Sequence, residues 1–345
     1  MKIDMKSLLR TAALAAVAAL SLTAPARADG NLTVYCSVQE EWCQSMVNEF
    51  QKATGITVAM TRKSSGETFA QVKAESANPK GDIWWGGTGD PHLQAAEEGL
   101  TEEYDSPMLS KLHPWAVKQH ETGKKRTVGI YLGALGFGYN TELLEAKKLE
   151  APKCWADLIK PEFKGEVQIA NPNSSGTAYT FLATIVQLMG EDKAFEYLKA
   201  LNENVNQYTK SGAAPAIAAG RGETMIGIAF QHDVIVPVIT SNAPIVNVSP
   251  CEGTGFEIGS MSIIKGAPNL ENAKKWYDWA LTPDAQKLAV AAKSFQNPSN
   301  KETPLPEQAQ KMESIKLIDY DFAKFGSSAE RKRLLARWDK EIAAK

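Results

Sequence analysis

The run Gly129-Ile-Tyr-Leu-Gly-Ala-Leu-Gly-Phe-Gly138 decides how this chain is organised. It is extended, apolar and broken by glycines, and Asn140 follows it at a helix start, so it reads as a crossover between two α/β series. Upstream, Leu32-Thr-Val-Tyr-Cys36 is a buried strand, residues 41–53 an amphipathic helix and residues 56–60 a second strand, which together make a βαβ unit. Ser65-Gly66-Glu67-Thr68 opens another helix. Asp82-Ile-Trp-Trp85 is a short strand stopped by Gly86-Gly87-Thr88-Gly89, and Asp90-Pro91 caps a helix to residue 98. Downstream, strands are predicted at 167–170 and 225–229 and helices at 177–189 and 193–201. A second extended run, from Ile245-Val-Asn-Val-Ser249 through Cys251-Glu-Gly-Thr-Gly255 to Gly259-Ser-Met-Ser-Ile-Ile264, returns the chain to where it began. Helices at 271–281, 283–293 and 327–343 close it. The expected fold is α/β, with two doubly wound lobes joined by a two-crossover hinge. Residues 29–134 with 258–345, including the C-terminal helices, form lobe 1, and residues 135–257 form lobe 2.

A length of 345 residues suits two lobes, and 43% hydrophobic with 23% charged residues is a globular composition that excludes disorder and coiled coil. The 38 basic and 40 acidic residues sum to −2, so there is no basic footprint for nucleic acid. Residues 1–28 read as a cleaved signal peptide: Lys2, Lys6 and Arg10 lead an apolar run over 11–22, and Ala26-Arg27-Ala28 fits small-x-small cleavage. Twelve apolar residues are too few to span a bilayer, which takes about 20. Cleavage leaves 34 basic and 39 acidic residues, a net −5. No cysteine stands at the cleavage point to take a lipid, so a free, monomeric periplasmic protein is expected.

Export places Cys36, Cys43, Cys154 and Cys251 in an oxidising compartment, where an even count reads as disulfides. Closeness in sequence favours Cys36 with Cys43, which leaves Cys154 with Cys251. The rival, a zinc site, lacks C-x-x-C and any histidine at ligand spacing.

In open α/β sheets ligands bind beyond the carboxyl ends of the strands, where helix N-termini converge. Three segments fit that place: Ser64-Ser65-Gly66, Asn173-Ser174-Ser175-Gly176-Thr177 and Lys210-Ser211-Gly212. Each offers hydroxyls, backbone N–H groups and a positive helix end to an anion, although any one alone is an ordinary N-cap. None has Walker spacing. A second polar group is Gln231-His232-Asp233 after a strand, with Glu252 and Glu257 in the returning crossover. His beside Asp can exchange hydrogen bonds with sugar hydroxyls or ligate a metal. His92, His113 and His120 are read as surface or capping residues. A secreted phosphatase-like enzyme is the alternative of a different class, but no G-x-S-x-G or H-E-x-x-H is present and the carboxylates are scattered. The expectation is a binding protein with no enzymatic activity, cofactor or resident metal.

The leader, Val34-Tyr35-Cys36-Ser37, Asp82 to Asp90, the crossover from Gly133 to Asn140, Gly165-Glu-Val-Gln-Ile-Ala170, Ser175-Gly-Thr-Ala178 and Pro250-Cys-Glu-Gly-Thr-Gly255 resemble periplasmic substrate-binding proteins of ABC importers. Within them the chain is similar to the ferric-ion-binding, transferrin-like group, and most to its hexose-phosphate branch. The resemblance implies a type II periplasmic binding protein fold that shuts on its ligand like a flytrap and docks on an inner-membrane ABC permease. Ferric sites in the group use adjacent tyrosines from lobe 2 and a Glu or His from lobe 1. Here His232-Asp233 and Gly87 stand at those places. The implied phosphate contacts are Ser175, Gly176, Thr177 and Ser211, with Ser37, Ser65 and Thr88 from lobe 1 by position, while His232, Asp233 and Glu257 would read sugar hydroxyls. Trp84 and Trp85 read as core rather than as a stacking platform. The expected ligand is a phosphorylated small molecule, a hexose 6-phosphate; the alternatives are 2-aminoethylphosphonate or another phosphonate, and ferric ion.

Overall fold

The computed structural model describes residues 30–343, and the leader 1–28 lies outside them. The first series is β1 (Asn31–Cys36), α1 (Glu40–Thr54), β2 (Thr57–Arg62), α2 (Ser65–Ala74), β3 (Ile83–Trp85), α3 (Gly89–Glu97) and α4 (Pro114–Thr122). The long strand β4 (Val128–Asn140) leads into α5 (Thr141–Lys147), β5 (Val167–Ala170), α6 (Gly176–Met189), α7 (Glu191–Asn204), β6 (Val205–Thr209), α8 (Ala214–Gly220), β7 (Ile226–Phe230), α9 (Gln231–Ser241) and β8 (Ile245–Val248). The chain returns along β9 (Phe256–Ile263) and ends with α10 (Leu270–Ala280), α11 (Pro283–Ala291), β10 (Asn297–Pro298), α12 (Phe322–Phe325) and α13 (Ser328–Trp338).

Strand β4 belongs to both lobes. Its first half pairs antiparallel with β9, from Val128 opposite Met261 to Ala134 opposite Phe256. Its second half pairs with β7, from Leu135 opposite Phe230 to Tyr139 opposite Ile226, and with β8. The strand order runs β2-β1-β3-β9-β4-β7-β5-β6, with β1, β2 and β3 mutually parallel in the first lobe and β5, β6 and β7 parallel in the second. The switch falls between Ala134 and Leu135, so the expected crossover is one continuous strand handed from sheet to sheet. A Cβ on Gly129 would lie 2.8 Å from the Cα of Ala116, so the missing side chain lets α4 lie directly on the strand.

Each lobe has its own core. Trp42, Phe50, Trp85, Tyr131 and Trp276 fill the first, and Phe137, Trp155, Tyr179 and Phe181 the second. The C-terminal segment departs from the expected division, because Tyr320, Phe325, Leu334, Trp338 and Ile342 pack into the second core. Leu334, Trp338 and Ile342 recur every fourth residue on one face. Arg333 and Arg337 fasten that segment to Glu191 at the start of α7, at 2.7 Å each. The other end of α13 touches the first lobe: Arg331 Nε donates to Gln94 Oε1 at 2.9 Å, and the Ser328 N–H donates to Glu97 at 2.6 Å. Helix α13 therefore straddles the lobes.

Both disulfides form as paired from the sequence, Cys36 with Cys43 and Cys154 with Cys251. Glu252, weighed as a ligand residue, instead accepts the N–H groups of Trp155 and Ala156 at 2.8 Å each, beside the second bridge. The bridges close loops of 7 and 97 residues. On the chain-entropy account, Cys154→Ser with Cys251→Ser should lower unfolding free energy by about 4–5 kcal/mol, against about 2 for the Cys36 pair, read from urea melts.

Candidate functional site

The carboxyl ends of the parallel strands of both sheets face one cleft. From lobe 1 come Ser37 and Gln39 after β1, Arg62 at the end of β2, Ser64 and Ser65 entering α2, and Gly87 and Thr88 before α3. From lobe 2 come Ser175, Gly176 and Thr177 at the start of α6, Ser211, Gly212 and Ala213 before α8, and Phe230, His232 and Asp233 at the start of α9. Tyr131 of β4, Glu257 of β9 and Gln296 complete one cavity. All ten candidates, Ser37, Ser65, Thr88, Ser175, Gly176, Thr177, Ser211, His232, Asp233 and Glu257, line this one space.

Several serines cap helices as well as line the cavity. Ser64 and Glu67 form a reciprocal capping box on α2, and Ser175 Oγ accepts from Ala178 N–H at 3.4 Å. Ser65 Oγ accepts from Thr88 N–H at 3.2 Å, and Ser37 Oγ lies 2.9 Å from Thr68 Oγ1 and accepts from Trp84 Nε1 at 3.0 Å. The Gly66 N–H, expected to serve an anion, donates instead across the cleft to Ser174 O at 3.0 Å. Further lobe-to-lobe contacts run from Ser64 Oγ to Lys210 O at 3.1 Å, and from Arg62 Nη2 to Ser211 Oγ at 3.5 Å. These contacts define a shut cleft. It closes on glycines: a Cβ on Gly66 would stand 2.2 Å from Asn173 O, and one on Gly176 would stand 1.9 Å from Thr88 Oγ1.

His232 and Asp233 follow β7 directly, as the sequence reading had them, and form the first turn of α9. Both are 6% exposed and Glu257 is 3% exposed. His232 Nε2 lies 3.8 Å from Asp233 Oδ2 and 3.6 Å from Glu257 Oε1, too far for direct hydrogen bonds. Room for them comes from Gly133, opposite Glu257 in the β4/β9 register, where a Cβ would sit 2.4 Å from His232 Nδ1. Burial sets the charge here. It pushes Asp233 up to about 7, with the Gln39 hydrogen bond and the Arg62 charge pulling the other way. Burial, then the charges of Asp233 and Asp90, hold Glu257 well above the carboxylate range, and burial drives His232 down to about 3. The imidazole is neutral and burial favours the protonated form of Glu257, so the His232 contacts are not ion pairs. The group presents donors and acceptors with little net charge.

Arg62, Gln39, Tyr131 and Gln296 went unnoticed in the sequence. Arg62, the one cation in the lining among the described residues, extends β2 beyond the predicted stop at residue 60. Tyr131 sat in an apolar run, and its hydroxyl accepts the Gly87 N–H at 3.0 Å. Gln296 lies in a stretch without periodicity. Two histidines correct the surface reading. His92 is fully buried, stacked on Trp84 at 3.7 Å and hydrogen-bonded to Ser262 and Gly86 O. His120 is buried between Thr127 O and Asp105 Oδ1, while His113 does stand at the N-cap of α4. Trp84 and Trp85 are core. Ser262-Ile-Ile-Lys265 has S-x-x-K spacing, but Ser262 is engaged by His92 and the Lys265 ammonium donates to Glu102.

Two predictions follow from this geometry. Gly66→Ala and Gly176→Ala each add a methyl that helices accept, so melting should shift by less than about 2 °C, but the lobes cannot shut; the radius of gyration from small-angle scattering should rise. Asp233 holds a proton in the folded protein up to about pH 7 that the unfolded chain releases near its ordinary value of 3.8. Its stabilising share is thus present below about 4 and is lost as pH rises to about 7. Asp233→Asn should flatten that dependence and raise the melting temperature at pH 8 by about 3 °C or more.

A family model for bacterial extracellular solute-binding proteins matches residues 79–325. A Haemophilus influenzae protein of uncharacterised function is 45% identical over 344 residues, 99% of each chain. The periplasmic binding protein AfuA from Actinobacillus pleuropneumoniae, solved with exogenous fructose-6-phosphate bound, superposes with a TM-score of 0.88 at 44% identity, covering 92% of this chain and all of that one. The periplasmic binding protein P5PA superposes with a TM-score of 0.88 at 42% identity, over 91% of this chain and all of its own. Iron-bound HitA from Pseudomonas aeruginosa, at 19% identity and TM-score 0.76, shares the fold. Two α/β lobes hinged on shared strands, shut over a polar cleft and matched along nearly their whole length, place this chain in the bacterial extracellular solute-binding protein family, with the type II periplasmic binding protein fold.

Proposed function

We propose that this protein is the periplasmic component of an ABC importer and captures a hexose 6-phosphate by closing its lobes. The observation that carries this reading is the pairing, in one cavity, of anion-binding groups with a nearly uncharged hydroxyl-reading group. The hydroxyls of Ser37, Ser65, Thr88, Ser175, Thr177 and Ser211, the first-turn amides of Gly176 and Thr177, and the Arg62 guanidinium suit a phosphate. Helix N-termini add about 0.3–1 kcal/mol each and charge-assisted hydrogen bonds more, against the roughly −8 kcal/mol that micromolar affinity needs. His232, Asp233 and Glu257, uncharged for the most part, match sugar hydroxyls, which both donate and accept. Fructose-6-phosphate bound to AfuA, at 44% identity, supports the same class of ligand.

Closure is driven by contacts made only in the shut state. The bodies that move are 30–134 with 258–319, and 135–257 with the C-terminal segment that packs on its core. The shut monomer then docks on an inner-membrane permease. A second reading, 2-aminoethylphosphonate, is favoured by Salmonella relatives named as putative binders of it, 28% identical over 287 residues. An ammonium, however, calls for ionised carboxylates, and burial disfavours the ionised form of Glu257.

Titration calorimetry tests this reading. Glucose 6-phosphate and fructose 6-phosphate should bind near micromolar, and Asp233→Ala should weaken them about a hundredfold while changing inorganic phosphate less than about threefold. Tighter binding of 2-aminoethylphosphonate than of either sugar phosphate, a coloured ferric complex, or steady release of phosphate from the sugar would each overturn it.

A further inference from the structure

Resting on that reading, we infer that Gln39 is a positioning residue that ties recognition of the sugar to closure of the lobes. Gln39 belongs to lobe 1, in the turn between β1 and α1, and Asp233 to lobe 2, yet Gln39 Nε2 donates to Asp233 Oδ1 at 2.5 Å. The amide is oriented from behind, because Ser294 Oγ donates to Gln39 Oε1 at 3.2 Å. With the amide nitrogen donating to Asp233 Oδ1, the carboxamide oxygen is left to accept from Ser294. Ser294 is itself held: it is 1% exposed, and its N–H donates to Ala289 O at 2.8 Å in the turn that ends α11, where Lys293 adopts φ 59°. The relay Ser294–Gln39–Asp233 thus joins the end of a lobe 1 helix to the hydroxyl-reading group of lobe 2.

Its consequence is selective. With Oδ1 held by Gln39, Asp233 keeps Oδ2, which lies toward His232, for a ligand hydroxyl. Opening the cleft separates Gln39 from Asp233, so the aligned reader exists only in the shut form. Any closure makes the Gln39 contact, but only a ligand with a group for Asp233 also uses the carboxyl that the contact aligns. Gln39 therefore favours closure on sugar phosphates over closure on phosphate alone, and the phosphate contacts at Ser175 to Thr177 do not touch it.

The wild type, Gln39→Ala, Gln39→Glu and Ser294→Ala are titrated with glucose 6-phosphate and with inorganic phosphate at pH 5.5 and 8, with small-angle scattering on the same samples. Gln39→Ala should weaken the sugar phosphate about tenfold and inorganic phosphate less than about twofold, and Ser294→Ala should weaken the sugar phosphate about threefold. Gln39→Glu sets a second carboxyl against Asp233, which already faces His232 and Glu257 in lobe 2 and the cleft, with Tyr131 and Arg62 nearby. Sugar-phosphate binding should then fall about a hundredfold at pH 8 and return to within about tenfold at pH 5.5, where the paired carboxyls share a proton. A merely structural role predicts equal losses for both ligands and no recovery on acidification, and either result overturns the inference. Wild type that ignores glucose 6-phosphate overturns the functional reading instead. Scattering in inorganic phosphate then decides the relay: Gln39→Glu must be more open at pH 8 than at pH 5.5, and an unchanged radius rejects it.

Discussion

Two sheets share strand β4, and the handover between Ala134 and Leu135 is the constraint on which the rest of the molecule depends. A strand can be paired on both edges in each half only if its partners change at one point, and here β9 gives way to β7 and β8. Gly133 stands one residue before that point. The side chain it lacks would occupy the place of the His232 ring, with Glu257 opposite in the same register. The hinge strand and the His232, Asp233 and Glu257 group are therefore one piece of architecture, and the group lies beside the handover from one sheet to the other.

A polar cleft of this kind works against stability. Asp233 and Glu257 are buried without a cation in hydrogen-bond reach, so burial raises both and favours their protonated forms. The two cores and the bridge closing a 97-residue loop supply the stability that such a site consumes. Shutting the cleft depends on bare backbone, because Gly66 and Gly176 meet the opposite lobe at distances that no side chain tolerates. Helix α13 adds a connection between the lobes remote in sequence from the crossovers, with Arg331 toward Gln94 and Arg333 toward Glu191.

The alternation of strands and helices, the crossover at 129–138 and the cysteine pairs were legible in the chain, since each rests on local pattern: periodicity and spacing. Of the ten cavity-lining candidates, those at helix starts were legible in the same way, while Ser37 and Thr88 came only from the family resemblance, as did the sugar-reading role given to His232, Asp233 and Glu257. The strand ends followed less well. Reading β2 to residue 60 left Arg62 in a loop and hid the one cation of the lining. His92 looked like a surface residue because nothing in its neighbours in sequence announces the stack on Trp84. The apolar stripe of the C-terminal helix was visible, but not the lobe that would receive it.

Local sequence by itself determined the α/β class, the helix starts that gather hydroxyls, and the glycines that leave room along β4, because these follow from backbone sterics and from groups a few residues apart. Only the tertiary structure decided which groups meet across the cleft: Gln39 with Asp233, Gly66 with Ser174, Arg62 with Ser211. It also decided the protonation of Asp233, Glu257 and His232. The physical reason is that desolvation and lobe-to-lobe contact depend on everything that surrounds a side chain in space, and residues 108 to 194 positions apart carry no local pattern that records their approach.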